Sequence, residues 1–198
     1  HENNIGSLRV VMDVMERHGV RLFVFSSSAT VYGHAEKLPV TEETPLKKPE
    51  SPYGATKILG EQIVEGAVKD GRPFCAVSLR YFNPIGAHAS AKIGELPLGI
   101  PNNLVPFVTQ TAAGNLPRLV VFGKDYNTPD GTPIRDYIHV VDLAAAHVCA
   151  LNYLKNIRTP DTRHQTQDTG HQTPDTRHQN APGVMCHVSG VSDNFTPG

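Results

Sequence analysis

LFVFSSS, residues Leu22 to Ser28, is the stretch on which the fold turns. Its first four residues are continuously apolar. That is too short for a buried helix and lacks the alternation of a half-exposed strand, so it predicts a strand buried on both faces of a parallel sheet. Ser26, Ser27 and Ser28 then place polar groups at the strand's carboxyl end. A second run of this kind, Phe74 to Leu79, ends in Arg80-Tyr81-Phe82-Asn83-Pro84. Between the two, Ser51-Pro52 pairs an N-cap hydroxyl with a proline at the first helical position and predicts a helix to about Lys69. Upstream, Ile5, Leu8, Val11, Met12 and Met15 recur at helical spacing over Asn4–His18, with Gly19 as the stop. Helix, strand, helix, strand predicts an α/β chain, a parallel sheet wrapped by helices. Ligands of such sheets sit beyond the carboxyl ends of the strands, where Ser26–Ser28 and Tyr81–Asn83 both fall.

Working outward, residues 33–50 form a surface loop rich in Pro, Glu, Lys and Thr, and residues 84–103 a long loop punctuated by Gly and Pro. A helix over Leu104–Ala113, a strand near Leu119–Phe122, a loop into Ile134–Ile138 and a helix over Val141–Leu154 follow. From Arg158 to Asn180 no residue belongs to the set AVILMFWYC, and the text reads TPDTRHQ, TQDTGHQ, TPDTRHQ from Thr159, Thr166 and Thr173. A seven-residue period suggests a coiled coil, but no apolar position exists to form a seam. We therefore expect a disordered segment, because it has nothing to bury against its chain entropy. His164, His171 and His178 recur at the same period, and a solvated repeat is favoured over a metal site because nothing fixes the three rings in one geometry.

The 198 residues are 39% hydrophobic and 19% charged with a net charge of −1, which excludes collagen-like, supercharged and fully disordered chains. Near-neutrality removes the electrostatic case for nucleic acid, and no apolar run reaches the ~18–20 residues of a membrane span. Cys75, Cys149 and Cys186 are odd in number with no CxxC, which suggests neither a disulfide framework nor zinc. A cytoplasmic setting is the default expectation.

Chemistry concentrates at Tyr53 and Lys57, four residues apart near the start of a helix and so on one face. A free phenol titrates near ~10, and an ammonium one turn away is expected to lower that value. A hydroxyl such as Ser28 can share the proton path.

Five segments together, FSSSATVYG (25–33), SPYGATK (51–57), RYFNPIGAH (80–88), GIPNNL (99–104) and DGTPIRDYIHVVDLA (130–144), resemble the extended short-chain dehydrogenase/reductase family, within it the NAD-dependent sugar-nucleotide epimerases. The resemblance covers about residues 3–154. It implies a Rossmann-like doubly wound parallel sheet lacking its first βαβ units, part of a small substrate-binding domain, and a repeat tail. The corresponding divisions are 1–83, 84–157 and 158–198. It also implies interconversion of UDP-glucose and UDP-galactose by oxidation and re-reduction at sugar C4 on bound NAD. Tyr53, Lys57 and Ser28 would be catalytic. Ser26, Ser27, Tyr53, Lys57, Tyr81 and Phe82 would line the cofactor. Ser28, Ala29, Thr30, Tyr53, Tyr81, Phe82, Asn83, Asn102, Asn103, Leu104, Val120, Val121, Phe122 and Arg135 would hold the UDP-sugar. Val120–Phe122 would equally be core strand in any α/β protein, and Tyr137 and His139 packing residues. Members of the family commonly pair through two helices, here Asn4–His18 and Pro52–Lys69, which implies a homodimer.

The sequence departs from the family at both ends. No GxGxxG or GxxGxxG occurs, nor the acidic residue expected on the adenosine ribose, so an N-terminally incomplete chain is expected. Downstream the repeats replace the continuation, with no clear return of the pattern in Ala181–Gly198. An inactive remnant or weak UDP-sugar binder, with apolar sheet edges and poor solubility, is therefore one alternative. A 4,6-dehydratase is another, disfavoured because Val31-Tyr32 follow Thr30 where that group has an acidic pair. A decarboxylase or hexuronate epimerase is disfavoured by GIPNNL and RDYIHV.

Overall fold

A computed structural model describes residues 2–158 and 185–189. The repeat with its three histidines lies outside the described residues. Two compact units are present, His1–Tyr81 with Ala146–Gly198, and Phe82–Ala145.

The first unit is built on a parallel sheet. Strand β1 (Leu22–Ser26) pairs with β2 (Cys75–Arg80), Leu22 opposite Cys75 and Ser26 opposite Leu79. On its other side β2 pairs in parallel with β5 (Met185–Ser189), Ala76 opposite Met185. That third strand comes from the segment in which the sequence showed no clear return of the pattern. β2 is central, and five of its six residues are buried. Successive side chains leave a strand on opposite faces. Phe23, Phe25 and Ala76 accordingly pack with Leu8 and Met12 of α1 (Ser7–Arg17) and Val64, Ala67 and Val68 of α2 (Pro52–Lys69). Leu22, Val24, Cys75, Val77 and Leu79 pack instead with Ala150 and Leu154 of α4 (Val140–Arg158). Helices thus cover both faces, as in the expected doubly wound sheet.

Local chemistry sets the boundaries. The α1 chain turns at Gly19, whose φ of 69° is strained for any residue with a Cβ. Ser51 Oγ accepts the Gly54 N–H at 3.0 Å, and Pro52 opens α2, as expected from the sequence.

The second unit holds a two-stranded parallel ladder, β3 (Asn83–Ile85) with β4 (Tyr137–His139), and α3 (Leu104–Ala112). The strand expected near Leu119–Phe122 does not form. The four residues are irregular and exposed, Phe122 at 86%. A strand exists only where its N–H and C=O groups find a ladder partner, and a run of β-favouring residues supplies none by itself.

Among the described residues no helix is long and apolar enough to cross a membrane, and no cluster of three metal-ligating side chains occurs.

Candidate active site

The carboxyl ends of β1 and β2 are tied by backbone bonds that continue beyond the strands. Ser27 N–H donates to the Leu79 carbonyl and Ala29 N–H to the Tyr81 carbonyl, each at 2.9 Å. The chain then leaves the sheet as a single 3-10 turn, Ala29–Tyr32, capped by Ser28. Ser28 Oγ accepts from Thr30 N at 3.2 Å and from Thr30 Oγ1 at 3.0 Å. A hydroxyl offers two acceptor pairs and one proton. With both pairs taken, the Ser28 proton is left to donate, and the hydroxyl lies close enough to the Tyr53 phenol to favour its ionised form.

Tyr53 is the second residue of α2 and half exposed, at 50%. One turn on, Lys57 Nζ donates to the Ser26 carbonyl at 2.7 Å and lies 5.4 Å from the centroids of both the Phe25 and the Tyr53 rings. Burial holds the Lys57 ammonium below its ordinary range. Tyr53 moves the opposite way to the sequence expectation. Burial pushes the phenol up, the neighbouring Tyr81 adds to that, and the Ser28 hydrogen bond works against both. Burial is the dominant cause, and the Lys57 hydrogen bond meanwhile goes to the Ser26 carbonyl.

Tyr81 is half-buried, its ring 6.1 Å from that of His147 on α4, and His147 Nε2 lies 2.8 Å from Ser26 Oγ. Ser27 is fully buried, and its hydroxyl donates to Glu61 Oε1 at 2.5 Å. Its side chain therefore faces the interior. The same carboxylate receives Arg80, through Nε at 2.9 Å and Nη2 at 2.7 Å, and Arg80 Nη1 donates to Tyr32 Oη at 3.1 Å. Sequence reasoning missed Glu61, Arg80, Tyr32 and His147. One signal was present for the first of them: a lone carboxylate four residues after Lys57 in ILGEQIV.

The remaining expected residues lie in the second unit. Asn83 Nδ2 donates to the Asp136 carbonyl at 2.9 Å, next to exposed Arg135, whose Nη1 donates to the Ile134 carbonyl at 3.0 Å. Asn103 precedes α3, its Nδ2 on Glu95 Oε1 at 2.9 Å, beside exposed Asn102 and Leu104. Phe82 is half-buried, while Val120, Val121 and Phe122 are exposed. Chemically, then, the first unit brings together one phenol, one hydroxyl and one ammonium, groups able to move a proton. The second presents scattered polar and apolar side chains.

The chain is similar to several known proteins. Residues 1–163 match the family model described as the NAD dependent epimerase/dehydratase family. The UDP-glucose 4-epimerase of Neisseria meningitidis serogroup B is 53% identical over 157 residues, 79% of this chain and 46% of that protein. That of Drosophila melanogaster is 52% identical over 157 residues, 79% of this chain and 45% of its own. The crystal structure of UDP-glucose 4-epimerase from Bifidobacterium longum in complex with NAD+ and UDP superposes with a TM-score of 0.73 at 50% identity, covering 76% of this chain and 45% of that one. The chain spans less than half the length of these relatives. With the family model matched over most of its residues and a doubly wound sheet bearing the Ser28, Tyr53 and Lys57 cluster, the chain belongs to the NAD dependent epimerase/dehydratase family.

Proposed function

We propose that this chain carries the acid–base centre of an enzyme that interconverts UDP-glucose and UDP-galactose, using NAD. The observation that carries the reading is the convergence of the Ser28 hydroxyl, the Tyr53 phenol and the Lys57 ammonium at the carboxyl edge of a parallel sheet. Identity of about half to UDP-glucose 4-epimerases supports the substrate class.

The residues present fit the nicotinamide end of a dinucleotide. Lys57 would donate to ribose hydroxyls, Tyr81 and Phe82 would cover the ring, and the Ser26 backbone would hold Lys57 in place. Ser26 and Ser27 are proposed beside the cofactor, with the Ser27 hydroxyl held by Glu61. The glycine-rich pyrophosphate turn is not among the 198 residues. When bound, NAD supplies the acceptor and donor of the sugar C4 hydride. Tyr53 takes the proton of the sugar 4-hydroxyl and later returns it. Ser28 donates to the oxygen on which negative charge develops, a donor already aimed before reaction because both its acceptor pairs are filled. The Lys57 ammonium, 5.4 Å from the centre of the Tyr53 ring, would favour the phenolate as it forms. Ala29 and Thr30 line the same turn. Asn83, Asn102, Asn103, Leu104, Val120, Val121, Phe122 and Arg135 are proposed to hold the UDP-sugar, Arg135 by its planar fork on the diphosphate.

We further propose a cytoplasmic protein that pairs as a homodimer through α1 and α2. Exposed Val10, Val11 and Val14 on α1 support that pairing.

The test is calorimetry and turnover on the purified 198-residue chain. Micromolar NAD binding together with conversion of UDP-galactose to UDP-glucose supports the reading. Binding of UDP without NAD binding or turnover overturns it in favour of a remnant that only binds UDP-sugars.

A further inference from the structure

We propose that the buried Glu61–Arg80 ion pair is a positioning device for the acid–base centre, acting through Ser27 and Tyr32; this rests on the function proposed above. Tyr53, Lys57 and Glu61 are spaced i, i+4, i+8 and form one stripe along α2. The first two stand at the strand ends, while Glu61, 2% exposed, is buried. Its Oε1 accepts from Ser27 Oγ and from Arg80 Nε, and its Oε2 from Arg80 Nη2. Arg80, 4% exposed, passes the link on to Tyr32 Oη, with the guanidinium carbon 5.2 Å from that ring's centroid.

Each partner adjoins a group of the site. Ser27 precedes Ser28, Arg80 precedes Tyr81, and Tyr32 closes the turn that Ser28 caps. One carboxylate therefore joins α2, the end of β1, the end of β2 and the 3-10 turn, the elements that carry Tyr53, Lys57, Ser28 and Tyr81. Stability alone gives little reason for such a pair, since an apolar replacement of equal volume usually holds a core as well. What apolar packing lacks is direction. A guanidinium meeting a carboxylate through two parallel hydrogen bonds admits one relative orientation, so the helix cannot slide or roll against the strand ends without breaking it. Small displacements at a proton-transfer centre are costly in rate, about a hundredfold for roughly 1 Å.

Three variants of the full chain test this. Ser27→Ala cuts one arm without leaving a charge unpaired, and Tyr32→Phe cuts the other. Glu61→Leu combined with Arg80→Met replaces both charges by apolar volume. Phe74→Leu, at the amino end of β2, is a destabilised control. The readouts are kcat and KM for UDP-galactose, and the titration midpoint of the Lys57 side chain by carbon NMR, assigned with Lys57→Arg. We expect kcat to fall about tenfold in each single variant and about a hundredfold in the double. KM should stay within about twofold of the parent value. The Lys57 midpoint should rise toward that of a solvated lysine, and Phe74→Leu should change neither quantity. Parental kcat and Lys57 midpoint in the folded variants would overturn the proposal. Should the parent chain show no turnover, the function proposed above falls, while the Lys57 titration still decides the positioning role. Should the double variant not fold, Ser27→Ala and Tyr32→Phe decide it.

Discussion

A Cβ built on Gly60 would lie 2.5 Å from Cζ of Phe25, so the Phe25 ring lies against α2 where position 60 carries no side chain. The Phe25 ring that fills this approach is also one of the two rings flanking the Lys57 ammonium. Gly60→Ala should lose about 1–3 kcal/mol to the forced shift, against a helix-propensity gain of about 0.5–1 kcal/mol. The net expectation is a lower urea midpoint, recovered when Phe25→Leu is added to make room.

Tyr53→Phe removes the proton acceptor while keeping the ring. Turnover should fall on the order of 10²–10⁴-fold with NAD affinity retained, read from steady-state kinetics and calorimetry. Ser28→Ala should raise the Tyr53 midpoint further, because the one contact that lowers it is gone.

The opposed shifts of Lys57 and Tyr53 give the stability curve a distinct shape in alkali. Lys57 titrates lower in the folded chain than in the unfolded one, so the unfolded state binds more protons just below ~10.4 and stability rises with pH there. Tyr53 titrates higher when folded, so its stabilisation is intact below ~10 and is lost as pH rises through its folded value. Urea midpoints compared with Lys57→Arg should isolate the rise, and with Tyr53→Phe the fall.

Ser51→Ala removes the hydroxyl that accepts the Gly54 N–H at 3.0 Å, and should cost about 1 kcal/mol of stability. Because Tyr53 sits in the uncapped turn, amide exchange there should quicken more than at Val64 or Val68.

Phe122→Ser should leave thermal stability within about 0.5 kcal/mol of the parent, since the side chain is 86% exposed and belongs to no strand. A large loss of melting temperature would show that residues 119–122 are a packed strand after all.

Much of this was legible beforehand, and the physical reason differs by element. α2 could be placed to the residue because Ser51 and Pro52 encode its start in a local motif. β1 and β2 stood out because a strand buried on both faces must be apolar throughout. The Leu119–Phe122 expectation failed because pairing is a property of two segments, and one segment shows only half of it. β3 and β4, three residues each, are too short to carry a pattern. Tyr53, Lys57 and Ser28 were found from spacing, but the direction of the Tyr53 shift depends on how far the phenol is buried and on the neighbouring Tyr81, which spacing does not show. Glu61 and Arg80 were passed over because nothing in a sequence says which of its many charges will be enclosed.

β2, flanked by β1 and β5 and roofed by helices on both sides, sets an order of events under stress. Its amides should be the last to exchange with solvent, whereas the first turn of α2, where Pro52 and Tyr53 are exposed, should open early. Mild warming should therefore erase catalysis while circular dichroism still reports a native chain, so that loss of activity and loss of structure become separable transitions.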